Sequence, residues 1–197
     1  MAAIALPSIS REEYLRRERL AQERSEYHKG HVVTMAGASR KHNRIVSNIT
    51  GSLVAQLKGR RCNNYANDMR VAVRGGEFYL YPDVVVTCGP ELYEDDEDDI
   101  LLNPILILEV LSESTEAYDR GEKFLSYPSI PTLREYVMVS QTPPRFEFYH
   151  KQEDGSWVYR SWSEAIPPLS LQSIGCTLLA VEVYDKLEDV PRSDPAI

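Results

Sequence analysis

A carboxylate stands near the end of an otherwise apolar run, Asn103-Pro104-Ile105-Leu106-Ile107-Leu108-Glu109-Val110-Leu111-Ser112. Such a run reads as a buried strand, and a buried unpaired carboxylate costs several kcal/mol. A proton, a cation or a metal must return that energy to Glu109. A second acid, Asp83 in Tyr81-Pro82-Asp83, directly precedes the apolar Val84-Val85-Val86, and Lys123 lies about two helical turns beyond Thr115. Phosphodiester hydrolysis needs an activated water, a Lewis acid on the phosphate and charge stabilisation at the leaving oxygen. Two acids on neighbouring strands suit magnesium, which takes one or two carboxylates and keeps its waters. A lysine beside the attacking water would hold it and favour hydroxide.

Each residue also has a plainer role. Asp83 after proline suits a turn residue that accepts backbone N–H bonds. Glu109 suits a buried ion pair. Lys123 has Asp119 at i−4, the spacing of a surface helix salt bridge. His42 precedes Ile45 and Val46 by three and four residues and faces their way, as a core-edge histidine or at the rim of a site, contacting phosphate or metal-bound water.

The elements that must position these groups are legible as patterns. A capping box, Ser10 with Glu13, predicts a helix over 10–23, with Tyr14, Leu15 and Leu20 as its apolar side. Residues 26–35 read as a hairpin turning at Lys29-Gly30. A second helix starts near Ser39, with Ile45, Ile49, Leu53 and Leu57 as a stripe, Val46 and Val54 beside them, and a cationic, glycine-stopped end at Lys58-Gly59-Arg60. Strands are predicted over 67–74 and 78–80, joined at Gly75-Gly76. Pro82 makes the start of 84–86 an edge or strand-start position. Residues 91–99 are the most acidic segment and read as a solvated loop.

A helix is predicted from Thr115 to Tyr127, then a strand over 135–139. A hairpin pairs 146–150 with 157–162 around Glu153-Asp154-Gly155, and a short helix closes 178–187. Trp157, Tyr159 and Trp162 read as core or dimer surface rather than base-stacking platforms. The order is α/β with a mixed sheet.

At 197 residues, one domain with a core of about 8–187 and a loose tail over 188–197 is the expected organisation. The 43% hydrophobic and 26% charged content is that of a soluble globular chain. A formal net charge of −8 argues against a protein that coats nucleic acid, though not against one meeting phosphate locally. Cys62, Cys88 and Cys176 show neither metal-ligand spacing nor a disulfide framework, which fits a reducing cytoplasm. There is no signal-peptide pattern at the start and no long apolar span.

Several short stretches together carry a resemblance. They are Glu26-Tyr27 followed by Gly30, Met35-Ala36-Gly37, His42-Asn43, Tyr81-Pro82-Asp83, the run from Glu109 to Thr115, Asp119-Arg120-Gly121-Glu122-Lys123 and Leu133-Arg134-Glu135-Tyr136. Over about 8–187 the chain resembles the Uma-type family of restriction-endonuclease-like proteins, within the PD-(D/E)xK nuclease superfamily. The resemblance implies a restriction-endonuclease-like core, a mixed β-sheet flanked by α-helices. It implies Mg2+ (or Mn2+) held by Asp83 and Glu109, with help from the Val110 carbonyl. It also implies DNA as substrate, 5′-phosphate products and a homodimer. The superfamily lysine is expected two residues after the glutamate, where Leu111 stands. Lys123 on the following helix is the candidate water-orienting residue in its place. Glu26 matches an acid that such proteins contribute from an early element, as an outer metal ligand or as a partner for the turn's backbone, and His42 would sit in support. Two rivals stay open: a nuclease fold that lost its chemistry and only binds, and a hydrolase of small phosphate esters.

Overall fold

The computed structural model describes residues 8–35, 37–112, 116–163 and 165–187. Its centre is a six-stranded mixed sheet in the order β11-β10-β9-β8-β6-β3. The apolar run forms β8 (Leu106–Leu111), buried along its whole length. It pairs antiparallel with β6 (Val84–Cys88) and parallel with β9 (Glu135–Ser140). The hairpin β10 (Arg145–Lys151) and β11 (Trp157–Trp162) extends one side, and β3 (Cys62–Ala66) closes the other. Val84–Cys88 is therefore an interior strand, not an edge; Pro82 lies just before it, where no ladder donor is required.

Both faces of this sheet are covered, which is why β8 is continuously apolar rather than alternating. On one face lies helix α2 (Arg40–Leu57), with Ile45, Ile49 and Leu53 fully buried against Leu106, Leu108 and Val110. Each such side chain contributes about 1.5–3 kcal/mol by leaving water. Ser39 caps α2 by accepting from the His42 N–H. Val54, expected beside the stripe, points outward at 55% exposure because it falls off the buried arc. The two-stranded β12 (Leu169–Leu171) and β13 (Cys176–Leu178), absent from the sequence reading, and the short helix α5 (Ala180–Val183) complete this layer.

The other face packs on a second sheet, in the order β2-β1-β5-β4-β7. Here β1 (Ser25–His28) and β2 (His31–Thr34) form the expected hairpin. Gly30 is needed at its turn: φ is +97°, and a Cβ there would lie 2.8 Å from that of Ser8. Strands β4 (Arg70–Val73) and β5 (Phe78–Leu80) are joined across the Gly75-Gly76 turn, and β7 (Ile100–Leu101) runs parallel to β4. Helix α1 (Arg11–Glu18) stops well before residue 23. The Glu18 carboxylate accepts from the Ser25 N–H and hydroxyl and from Tyr81, turning the chain, and Leu20 is left 78% exposed. Nor is 91–99 simply solvated. Asp95 and Asp99 both hold Arg19, Asp99 also meets the buried Arg70, and Tyr93 bridges to Leu101.

The largest departure is in the helix after β8. Thr115, its expected cap, lies outside the described residues. Beyond it the chain forms α3 (Glu116–Tyr118), a π-helical turn over Asp119–Lys123, α4 (Phe124–Ser126) and a 3₁₀ turn over Tyr127–Ser129. Cys62 and Cys88 face each other across the β3–β6 ladder and form a disulfide, whereas Cys176 is free and buried. The expectation of three unpaired thiols is corrected, because the register places two distant cysteines opposite one another. The argument from cysteine usage to a reducing compartment falls with it. Among the described residues no helix is long and apolar enough to cross a membrane.

Candidate active site

Glu109, Asp83, Lys123, Glu26 and His42 converge at the end of β8, although they come from five separate segments. Adjacent strands bring the first two together: Val84 pairs with Leu108, so Asp83, just before β6, meets Glu109. The Asp83 N–H points at Glu109 Oε2 over 3.4 Å, and Asp83 Oδ2 accepts the Val110 N–H at 2.7 Å. Glu109 shares its face with Ile107, as the strand period requires; Ile105, before the strand begins, turns to the opposite core.

Lys123 Nζ lies 3.1 Å from Glu109 Oε1, 3.2 Å from Glu26 Oε1 and 3.6 Å from Asp119 Oδ1. The i−4 pair with Asp119 thus exists, but inside the protein rather than on its surface, since the π turn directs both side chains inward. Glu109 is 2% exposed and Lys123 5%. Leu111 occupies the position of the in-strand lysine and is packed in the second core.

Glu26 has both oxygens engaged. Oε1 accepts the Tyr81 N–H, and Oε2 accepts the Tyr118 hydroxyl at 2.7 Å, which in turn meets His28 Nε2. Burial raises its carboxyl, but Lys123, His28, the Tyr81 N–H and Tyr118 outweigh that and hold it at about 2. This makes Glu26 the anchor of Lys123 and, through Tyr81, a partner of backbone as well. Period 2 on β1, which puts His28 on the side of Glu26, was the overlooked signal for His28. Tyr127, which donates to Glu109 Oε1 at 2.8 Å, and Tyr118 carried no such signal.

Lys123 is an ammonium. Burial opposes its charge, yet Glu109, Glu26, Asp119 and Asp83 overcome that and hold it well above the ordinary lysine value. Glu109 moves the other way from most paired acids: burial pushes it well above 4.5, and Asp119, Asp83 and Glu26 add to this against Lys123. Four carboxylates thus face one buried ammonium. That excess of negative charge is what a divalent cation would neutralise. Among the described residues no group of three or more His, Cys, Asp or Glu side chains is arranged to hold a metal ion. Asp83 and Glu109 are carboxylates of the kind that magnesium or manganese accepts beside water and substrate oxygens. The Val110 backbone meets Asp83 through its N–H and also favours a charged His42.

His42 Nε2 lies 3.2 Å from Asp83 Oδ2, so the first turn of α2 is tied to the site. Burial lowers its pKa, but the hydrogen bond and charge of Asp83, helped by Asp119 and Val110, raise it above 6.5 overall. The stabilisation from this pair is therefore complete below 6.5 and is lost as pH rises through the raised native value. By NMR, His42 is expected to titrate above 6.5 in the native chain and lower in Asp83→Asn. Equal titration in both would remove Asp83 as the cause.

The fold is shared with a solved structure described as a "putative nuclease belonging to DUF820" from Anabaena variabilis. The match has a TM-score of 0.73 at 16% identity and covers 89% of this chain and 97% of that one. The chain belongs to the Uma2 family, described as "Putative restriction endonuclease", whose model matches residues 11–182. Two relatives from Synechocystis sp. are similar along most of their length. The uncharacterized protein slr1290 is 36% identical over 90% of this chain and 92% of its own, and the uncharacterized protein sll1609 is 38% identical over 74% and 82%.

Proposed function

We propose that this chain is a magnesium- or manganese-dependent DNA endonuclease with Asp83 and Glu109 as metal ligands and Lys123 as the water-orienting residue. The observation that carries the reading is the buried Lys123 ammonium 3.1 Å from Glu109, beside Asp83, in a family described as "Putative restriction endonuclease". When bound, the metal would act as Lewis acid on the phosphate and lower the pKa of a coordinated water. Tyr127 and Lys123 hold Glu109 Oε1, leaving Oε2 as the oxygen with least competition for a cation. Val110 and His42 fix Asp83 through Oδ2. Glu26 and Asp119 keep Lys123 charged, so its part is to position a water and stabilise hydroxide, not to accept a proton. A homodimer, with one site for each strand, belongs to the same proposal.

The test is nicking of supercoiled plasmid with magnesium or manganese, wild type beside Glu109→Ala and Lys123→Ala. Cutting by the wild type alone is expected. Equal cutting by all three would sink the assignment. No cutting by any, with metal binding lost only in Glu109→Ala, would favour a binding protein on a nuclease fold.

A further inference from the structure

The charge of this molecule is unevenly written. From Tyr27 to Asn67 the sequence has no Asp or Glu, although the whole chain is at −8. Within that stretch the first turns of α2 carry Arg40, Lys41 and Arg44 around His42. Arg40 and Arg44 are exposed and Lys41 half-buried. Residues three and four apart share a helix face, so Arg44 stands next to both Arg40 and Lys41.

Many cations elsewhere are neutralised by carboxylates, although among the described residues Lys58 and Arg61 at the far end of α2 are among those that are not. Arg16 and Arg17 both sit on Glu13, Arg19 on Asp95 and Asp99, and Arg24 on Asp68. Among the described residues, Lys41 and Arg44 have no such carboxylate partner. They also lie at the mouth of the site, because His42 between them touches Asp83. Ser39, one turn earlier, bonds Gln141, which bonds the carbonyl of Leu111 at the end of β8.

We propose that Lys41 and Arg44, on the first turns of α2, grip the phosphate backbone of DNA and set its register over Asp83 and Glu109. Phosphate contacts position a duplex without reading its sequence, and a few cations beside the carboxylates supply them in a chain that is otherwise repelled by DNA. This resolves how an acidic protein meets a polyanion: locally, at one helix end. The inference rests on the nuclease reading and adds the surface that presents the substrate.

The experiment is fluorescence anisotropy of a short fluorescein-labelled DNA duplex titrated with the full chain in EDTA, across a potassium chloride series. Each phosphate contact contributes about 0.9 to the slope of log affinity against log salt. Lys41→Ala combined with Arg44→Ala is expected to reduce that slope by about 1.8 and to weaken binding at every salt concentration. Lys58→Ala combined with Arg61→Ala, about 25 Å away at the far end of α2, should leave both unchanged. An unchanged slope in the first variant, or an equal fall in both, overturns the surface. If the duplex is not bound by the wild type at all, the nuclease reading falls too. If the wild type nicks plasmid and the slope does not move, only the surface falls. All four positions are solvent-facing to some degree, and circular dichroism checks that each variant is folded.

Discussion

Lys123→Met is expected to destabilise the protein by about 3–5 kcal/mol, the usual cost of removing one partner from a buried ionic cluster. The methionine nearly fills the same volume, so packing is not the cause. The cause is electrostatic: Glu26, Glu109 and Asp119 all lie within 4 Å of the one ammonium and are themselves buried. Without it, those carboxylates repel one another in a medium that screens poorly. Urea unfolding at neutral pH gives the number, and adding Glu109→Gln to Lys123→Met should recover part of the loss. A Lys123→Met protein as stable as wild type would mean that the carboxylates do not depend on Lys123 for neutralisation. On the proposed role of Lys123, nicking activity is expected to be lost in this variant whatever its stability.

Glu109→Gln should separate activity from stability in the opposite sense. It keeps the shape of the side chain and an acceptor for Tyr127 while removing a charge that burial disfavours. Because the native Glu109 binds its proton more tightly than the unfolded chain does, wild-type stability falls as pH rises from about 4.5 toward the raised native value. The glutamine should abolish that fall and leave the melting temperature no lower at neutral pH. With Glu109 as the proposed metal ligand, cleavage should drop by about a thousandfold or more, since that loss would forfeit several kcal/mol of transition-state stabilisation. A variant that unfolds at lower temperature and still cuts would reverse both parts.

The sequence made the site visible where one residue contradicted its surroundings. Glu109 in a run of Ile, Leu and Val, and Asp83 ahead of three valines, were conspicuous because strands buried on both faces admit no charge without a partner. The α2 stripe and both hairpins were visible by period and turn chemistry. What escaped had no local contrast. Cys62–Ala66 is a half-buried edge strand with two asparagines, and Ile100–Leu101 is too short for a period. The Cys62–Cys88 bond depends on register between strands 26 residues apart. Tyr118, Tyr127 and His28 read as ordinary core aromatics and a hairpin residue until the fold turned their polar atoms onto Glu26 and Glu109.

The π-helical turn has a further consequence at the level of the coding sequence. An α-helix advances about 100° per residue, so the wider turn over Asp119–Lys123 lets Lys123 face inward while Phe124 and Tyr127 keep their own places against Tyr136. The position of the lysine is thus specified by chain length as much as by residue type. An in-frame loss of the Gly121 codon would leave every site side chain in the translated protein and still carry the ammonium away from Glu109. In this helix the count of residues is itself part of the active site.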